Sequence, residues 1–338
     1  MLGRVIIKPM LKSKRLIITI VVSLLSFIGL GIWLTQKAAP SSSKKGAPKE
    51  WSEITREGSA SLKEGSDARQ IGQIGMITAK DLTEVSGITP SRSAPGGWWV
   101  HNDSGDQARL YALDASGKLL GTFNVTGAKN RDWEDIASGP GSGGTPALYI
   151  ADIGDNESKR DDLVIYRVKE PDLSKGIVSG VTEPAEAFFF RYPDGRHDAE
   201  AIFVDPQDGR IYIITKTQRD PCAIYRFPLP LRVGTRVTLE SVEGSAVSAI
   251  SRLRLVTGAA ASPDGRRVVI RTYFTALELR RTESQPFGAL FNSEPRSISL
   301  QLERQGEAIA YTLDGKSIVT TSEKLPAPIY QIMLAADK

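Results

Sequence analysis

Three glutamates, Glu134, Glu200 and Glu307, each open a short apolar run: Glu-Asp-Ile, Glu-Ala-Ile and Glu-Ala-Ile. Two further runs open at the corresponding place with Ser86 and Thr257. Fourteen to eighteen residues beyond each opening stand Asn102, Asp152, Thr215, Arg271 and Thr321, with Asp103, Lys216, Tyr273 and Glu323 close behind. Brought together, Asn102, Asp103, Glu134, Asp152, Glu200 and Glu307 make an oxygen-only ligand set. That suits a hard cation, with Ca²⁺ the best match. Crowded carboxylates repel one another and hold their protons unless positive charge intervenes. Lys216 and Arg271 offset part of that charge, and with Tyr273 they could hold an anionic group of a substrate. Zinc is disfavoured, because the chain has two histidines and one cysteine.

Both histidines stand beside acidic motifs, His101-Asn102-Asp103 and His197-Asp198-Ala199-Glu200. Either could serve as a general base at neutral pH, with Arg271 as a further catalytic candidate. The competing reading is a hydrogen-bonded structural histidine in a loop. Asp103-Ser104-Gly105-Asp106 and Asp152-Ile153-Gly154-Asp155-Asn156 equally read as turns. Cys222, just ahead of Ala223-Ile224-Tyr225, reads as a buried small residue.

The elements that must position these groups repeat. The openings recur at intervals of 48, 66, 57 and 50 residues, and each run is followed by a turn and a second strand. Alternation and β-branched content predict four strands per unit. Turns such as Gln207-Asp208-Gly209, Pro263-Asp264-Gly265 and Leu313-Asp314-Gly315 link the first two strands. A period near fifty with an internal hairpin predicts an all-β fold, a five-bladed β-propeller. The fifth unit shows only three strands after residue 306. Ile71–Ile77 is expected to supply its fourth and close the ring. Six blades is the alternative if 170–184 or 282–294 hides further strands. In an antiparallel blade the start of the inner strand lies beside the end of the next, so the acids are expected at one mouth of the central channel.

The whole chain carries a net charge of +4, but residues 1–50 hold nine of the 43 basic and one of the 39 acidic residues. The chain beyond residue 50 is net acidic, which argues against a nucleic-acid surface. Residues 16–34 form an uncharged run behind five cations, predicting a transmembrane signal-anchor with 1–15 cytoplasmic and the rest exported. A cleaved signal peptide competes, without a clear small-x-small site. Residues 35–70 read as a flexible linker and 71–338 as the propeller. The expected location is the periplasmic or extracellular side of a cell membrane, as a monomer meeting a small-molecule or envelope ligand.

Asn102-Asp103-Ser104-Gly105-Asp106, Asp132-Trp133-Glu134-Asp135-Ile136-Ala137, Asp152-Ile153-Gly154-Asp155-Asn156, Asp198-Ala199-Glu200-Ala201 and Ser262-Pro263-Asp264-Gly265 together resemble a family of bacterial exported propellers, loosely WD40-like or phytase-like. The resemblance covers about residues 80–335 and implies the fold without an activity. A looser similarity is to Ca²⁺-dependent propeller hydrolases, namely calcium-activated nucleotidases and the paraoxonase and gluconolactonase group. It implies channel-bound Ca²⁺ and, in paraoxonases, a catalytic His. Three functions stay open: a Ca²⁺-dependent hydrolase of a phosphoester, ester or lactone; a non-catalytic binding propeller whose axial ion or ion-pair ring is structural; and a glycosidase, which needs two carboxylates at a defined separation.

Overall fold

The computed structural model describes residues 68–174, 179–218 and 221–335. The basic segment, the anchor run 16–34 and nearly all of the linker lie outside them. No helix among the described residues is long and apolar enough to cross a membrane.

Five antiparallel sheets, the blades, surround one axis, and their inner strands form a closed ring. These strands are Val85–Pro90, Trp133–Pro140, Ala199–Val204, Val256–Ala261 and Gly306–Tyr311 for blades 1 to 5. Ala68–Ile77 pairs antiparallel with Ala327–Leu334 and completes blade 5 from the other end of the domain. The closure expected of Ile71–Ile77 is therefore present, three residues longer. It pairs two sheet edges that would otherwise be open.

Each blade is apolar on both faces, so each blade–blade interface is a small core of its own. Between blades 2 and 3, Tyr149, Phe188 and Phe190 pack with Ile202, Ile213 and Phe227. Trp99, Leu110 and Phe123 meet Ile150 and Val164 between blades 1 and 2. At that interface one carboxylate oxygen of Glu170 accepts bonds from Ser91 Oγ, the Arg92 backbone N–H and Trp99 Nε1, at 2.8–2.9 Å.

The long connections do not build a sixth blade. Gly180–Val181, from the 170–184 connection, adds a parallel strand to the outer edge of blade 1. The 282–294 connection holds a short 3-10 helix, Phe287–Asn292. The segment 236–242 is divided between two blades: Val237–Thr238 pairs with blade 2, and Glu240–Ser241 with blade 3. Leu239, buried between them, marks the handover.

One irregularity recurs in every blade. The pairing register slips once in each inner strand, at Ser86, Glu134, Glu200, Thr257 and Glu307. These are the five opening residues. A bulge leaves its extra residue out of the ladder and re-aims the side chain, which is how an inner strand delivers a group to the mouth.

Candidate metal centre at the channel mouth

The five bulges divide by residue type. Ser86 Oγ donates to the Glu134 carbonyl oxygen, and Thr257 Oγ1 to the Gly306 carbonyl oxygen at 3.1 Å. The two hydroxyl bulges thus stitch blade 1 to blade 2 and blade 4 to blade 5. Gly258 permits that second approach, because a Cβ there would lie 2.5 Å from the Glu307 carbonyl oxygen. The glutamate bulges instead place Glu134, Glu200 and Glu307 in one shared electrostatic field.

Asp103, Asp132 and Glu134 offer one carboxylate oxygen each, all within 4.8 Å of one another. Glu134 is 3% exposed, and the two aspartates are half-buried. Burial first, then the charges of Glu200, Asp103, Asp132 and Asp198, holds the Glu134 carboxyl well above its ordinary range. Burial pushes Asp103 up to about 7. Asp132 is also raised by burial, with Arg160 opposing.

Local structure holds this trio in place. Asn130 Nδ2 donates to the Asp103 carbonyl oxygen at 2.8 Å, tying the end of the second strand of blade 1, Trp98–Asn102, to the entry of blade 2. The Asp152 carboxylate accepts from the backbone N–H of Arg131 and Asp132 at 3.3 and 3.1 Å, and from Arg160 Nη2 at 2.7 Å. Asp152 therefore positions Asp132 rather than joining it. Gly154 packs directly against the trio. A Cβ there would overlap Glu134 Oε1 and lie 2.5 Å from Asp132 Oδ2.

The other side of the mouth is paired. Lys216 Nζ contacts Glu200 Oε1, lies 3.1 Å from Tyr273 Oη, and stands 5.3 Å from the Tyr273 ring centroid. Burial raises Glu200 to about 7 even against the Lys216 charge. Tyr273 Oη donates to Glu307 Oε1 at 3.3 Å. Burial and the neighbouring Glu323 push Glu307 up to about 9.

Several expected site residues are placed elsewhere. Asn102 turns its amide into the loops of blade 1, with Nδ2 donating to the Asp81 carbonyl oxygen at 2.6 Å and to Asp106 Oδ2 at 2.9 Å. Arg271 has no exposed surface. Its guanidinium pairs with buried Glu303 at 3.0 Å and donates to the Ala308 carbonyl oxygen at 2.8 Å, so it joins blades 4 and 5 and meets no solvent. His101 is fully buried against Trp133, and burial drives its pKa down to about 4. His197 is engaged outside the carboxylate trio, 3.0 Å from Asp194 and packed on Tyr192 and Tyr225.

Two features escaped the sequence reading. Asp132 lies two residues before Glu134, and the period of two along an extended chain puts both on one side. That signal was available. Asp135 gave no comparable signal. It is fully buried and accepts from the backbone N–H of Ile136, Ile202 and Ala259 at 2.8, 2.9 and 3.3 Å. One carboxylate thus joins the inner strands of blades 2, 3 and 4, whose channel-facing edges would otherwise leave N–H groups unpaired.

Oxygens sharing one Ca²⁺ at 2.3–2.6 Å lie no more than about 5.2 Å apart. The 4.8 Å cluster meets that limit. The donors are all hard oxygens, and neither Asp103 nor Glu134 has an ion-pair partner among the described residues. The residues fit a hard divalent cation.

No protein-family model matches the chain, and no curated protein matches it. Solved structures similar to it include a glucose dehydrogenase at 10% identity and TM-score 0.44, the alignment covering 79% of this chain and 100% of that one. A gluconolactonase from Xanthomonas campestris aligns at 8% identity and TM-score 0.42, covering 78% of this chain and 89% of that chain. At these values nothing of their chemistry transfers. The chain's own strand order makes it an all-β, five-bladed β-propeller with an acidic cluster between the end of the second strand of blade 1 and the start of the inner strand of blade 2.

Proposed function

We propose that the channel mouth binds a divalent cation, Ca²⁺ foremost, through Asp103, Asp132 and Glu134, and that the protein is a metal-dependent hydrolase of a phosphoester, ester or lactone. The observation that carries this reading is the three-carboxylate cluster, with oxygens within 4.8 Å, beside a glycine whose lack of a side chain leaves it room. A cation bound there would polarise a substrate oxygen and lower the pKa of a coordinated water. The chain's own groups supply the rest. Lys216, held between Glu200 and Tyr273 across the mouth, would supply positive charge for an anionic substrate group. Glu307, whose carboxyl is pushed up to about 9 by burial and by Glu323, would be the proton donor to a leaving oxygen. Asp152 and Arg160 hold the loop that carries Asp132. The basic segment and apolar run at 1–34 support an exported, membrane-anchored protein acting on an envelope substrate.

A second reading has its own observation. Arg160–Asp152, Lys216–Glu200 and Arg271–Glu303 are all buried or nearly buried pairs around the axis. On that reading the charges lock the blades and the propeller only binds a partner. The test is turnover by the full chain against phosphoester, lactone and aryl-ester substrates, with Ca²⁺ and with chelator. Ca²⁺-dependent turnover that disappears in Glu134→Gln supports the hydrolase. Ca²⁺ binding with no turnover on any class leaves the binding propeller in its place.

A further inference from the structure

A second chemistry lies near the acidic mouth. The 192–198 loop runs from the outer strand of blade 2 to the inner strand of blade 3, and a cavity of about 590 Å³ sits along it. That volume is in the range of small-molecule sites. Its lining includes Arg160, Arg191, Arg196 and Arg236 against one acid, Asp161, in a domain that is otherwise net acidic.

The four arginines are not equivalent. Arg160 is committed to Asp152, Asp162 and the Gly154 carbonyl oxygen. Arg196 is held by both oxygens of Asp161 at 2.7 and 2.8 Å. Arg191 donates through Nε to Thr238 Oγ1 at 2.9 Å, which orients its guanidinium without neutralising it. Arg236, exposed at the start of the segment that pairs with blade 2, has no hydrogen-bond or ion-pair partner among the described residues. Tyr192 lines the cavity with its ring, its hydroxyl being buried away from it. Two unneutralised guanidinium groups around one cavity are the complement of a multiply charged oxyanion.

We propose that this cavity binds a phosphate-bearing small molecule, with Arg191 and Arg236 as its principal contacts. None of Asp103, Asp132 and Glu134 lines the cavity; Arg160 does, but it is committed to Asp152, and the two arginines proposed as contacts make no bond to the metal cluster or its supports.

The experiment is calorimetric titration of the full chain with inorganic pyrophosphate in the presence of chelator, at low and at high salt. Saturable binding is expected without metal, weaker at high salt, and weakened at least tenfold in Arg191→Gln/Arg236→Gln. Glu134→Gln should bind as the wild type does. If the double variant loses its fold, Arg236→Gln alone carries the test, since that side chain holds nothing else in place. No saturable binding, undiminished binding in the arginine variants, or binding that requires added metal would each overturn the proposal. Displacement of pyrophosphate by glycerol 1-phosphate rather than glucose 6-phosphate would assign the site to a lipid head group, and the converse to a sugar phosphate.

Discussion

Replacing Glu134 by glutamine keeps its shape and removes one charge from the trio. Two unit charges 4.8 Å apart repel by about 3.5 kcal/mol at an effective dielectric of 20, and by about 0.9 kcal/mol in water. Partial protonation already relieves some of that repulsion, so Glu134→Gln should stabilise the metal-free protein by about 1–3 kcal/mol at pH 8. At about 2–4 °C per kcal/mol for a domain of this size, the melting temperature in chelator should rise by several degrees. Calcium should stabilise the wild type far more than the variant. At a hundred times its Kd it adds about 2.7 kcal/mol to the wild type. Most of that gain should vanish when one of three anionic ligands is lost. Thermal melting of both proteins, with chelator and across a Ca²⁺ series, reads both effects. A variant that melts lower than wild type in chelator, while keeping the full Ca²⁺ shift, would overturn this reading and make Glu134 part of a structural network.

Gly154→Ala should displace the Glu134 and Asp132 carboxylates and weaken Ca²⁺ binding at least tenfold by calorimetry, while circular dichroism stays unchanged. The pH dependence has a definite sign. Asp103 and Glu200 titrate near 7 and Glu307 near 9, all above their ordinary values, so the protonated forms are favoured in the fold. Their stabilising contribution is present at acid pH and is lost as pH rises through these values. Melting in chelator should therefore fall from pH 5 to pH 9, while the Ca²⁺ shift grows, because protons and cation compete for the same oxygens. Asp135→Ala strands three backbone N–H groups at about 1–3 kcal/mol each, so its melting temperature should drop by many degrees with or without Ca²⁺.

The repeat was legible because a blade is local. In blade 1, Val85–Pro90, Trp98–Asn102 and Arg109–Leu113 follow one another through short turns, so the four-strand unit can be read from consecutive residues. The bulges were legible only as a recurrence of five opening residues, which strand pairing then turns into five re-aimed side chains. What the sequence hid is partnership. Asn102 and Asp103 are adjacent, yet one faces a blade 1 loop and the other the cluster. Arg271 stands at the end of its strand as Asp152 does, but Glu303, thirty-two residues on, draws it inward. Such pairings depend on which loop covers which strand end. No local period encodes that.

The metal site itself is best tested by diffraction at a wavelength suited to calcium, from crystals of the full chain grown with Ca²⁺. One anomalous peak is expected at the channel mouth, 2.3–2.6 Å from oxygens of Asp103, Asp132 and Glu134. A mouth without a peak, its carboxylates joined to one another by shared protons, would rule the cation out.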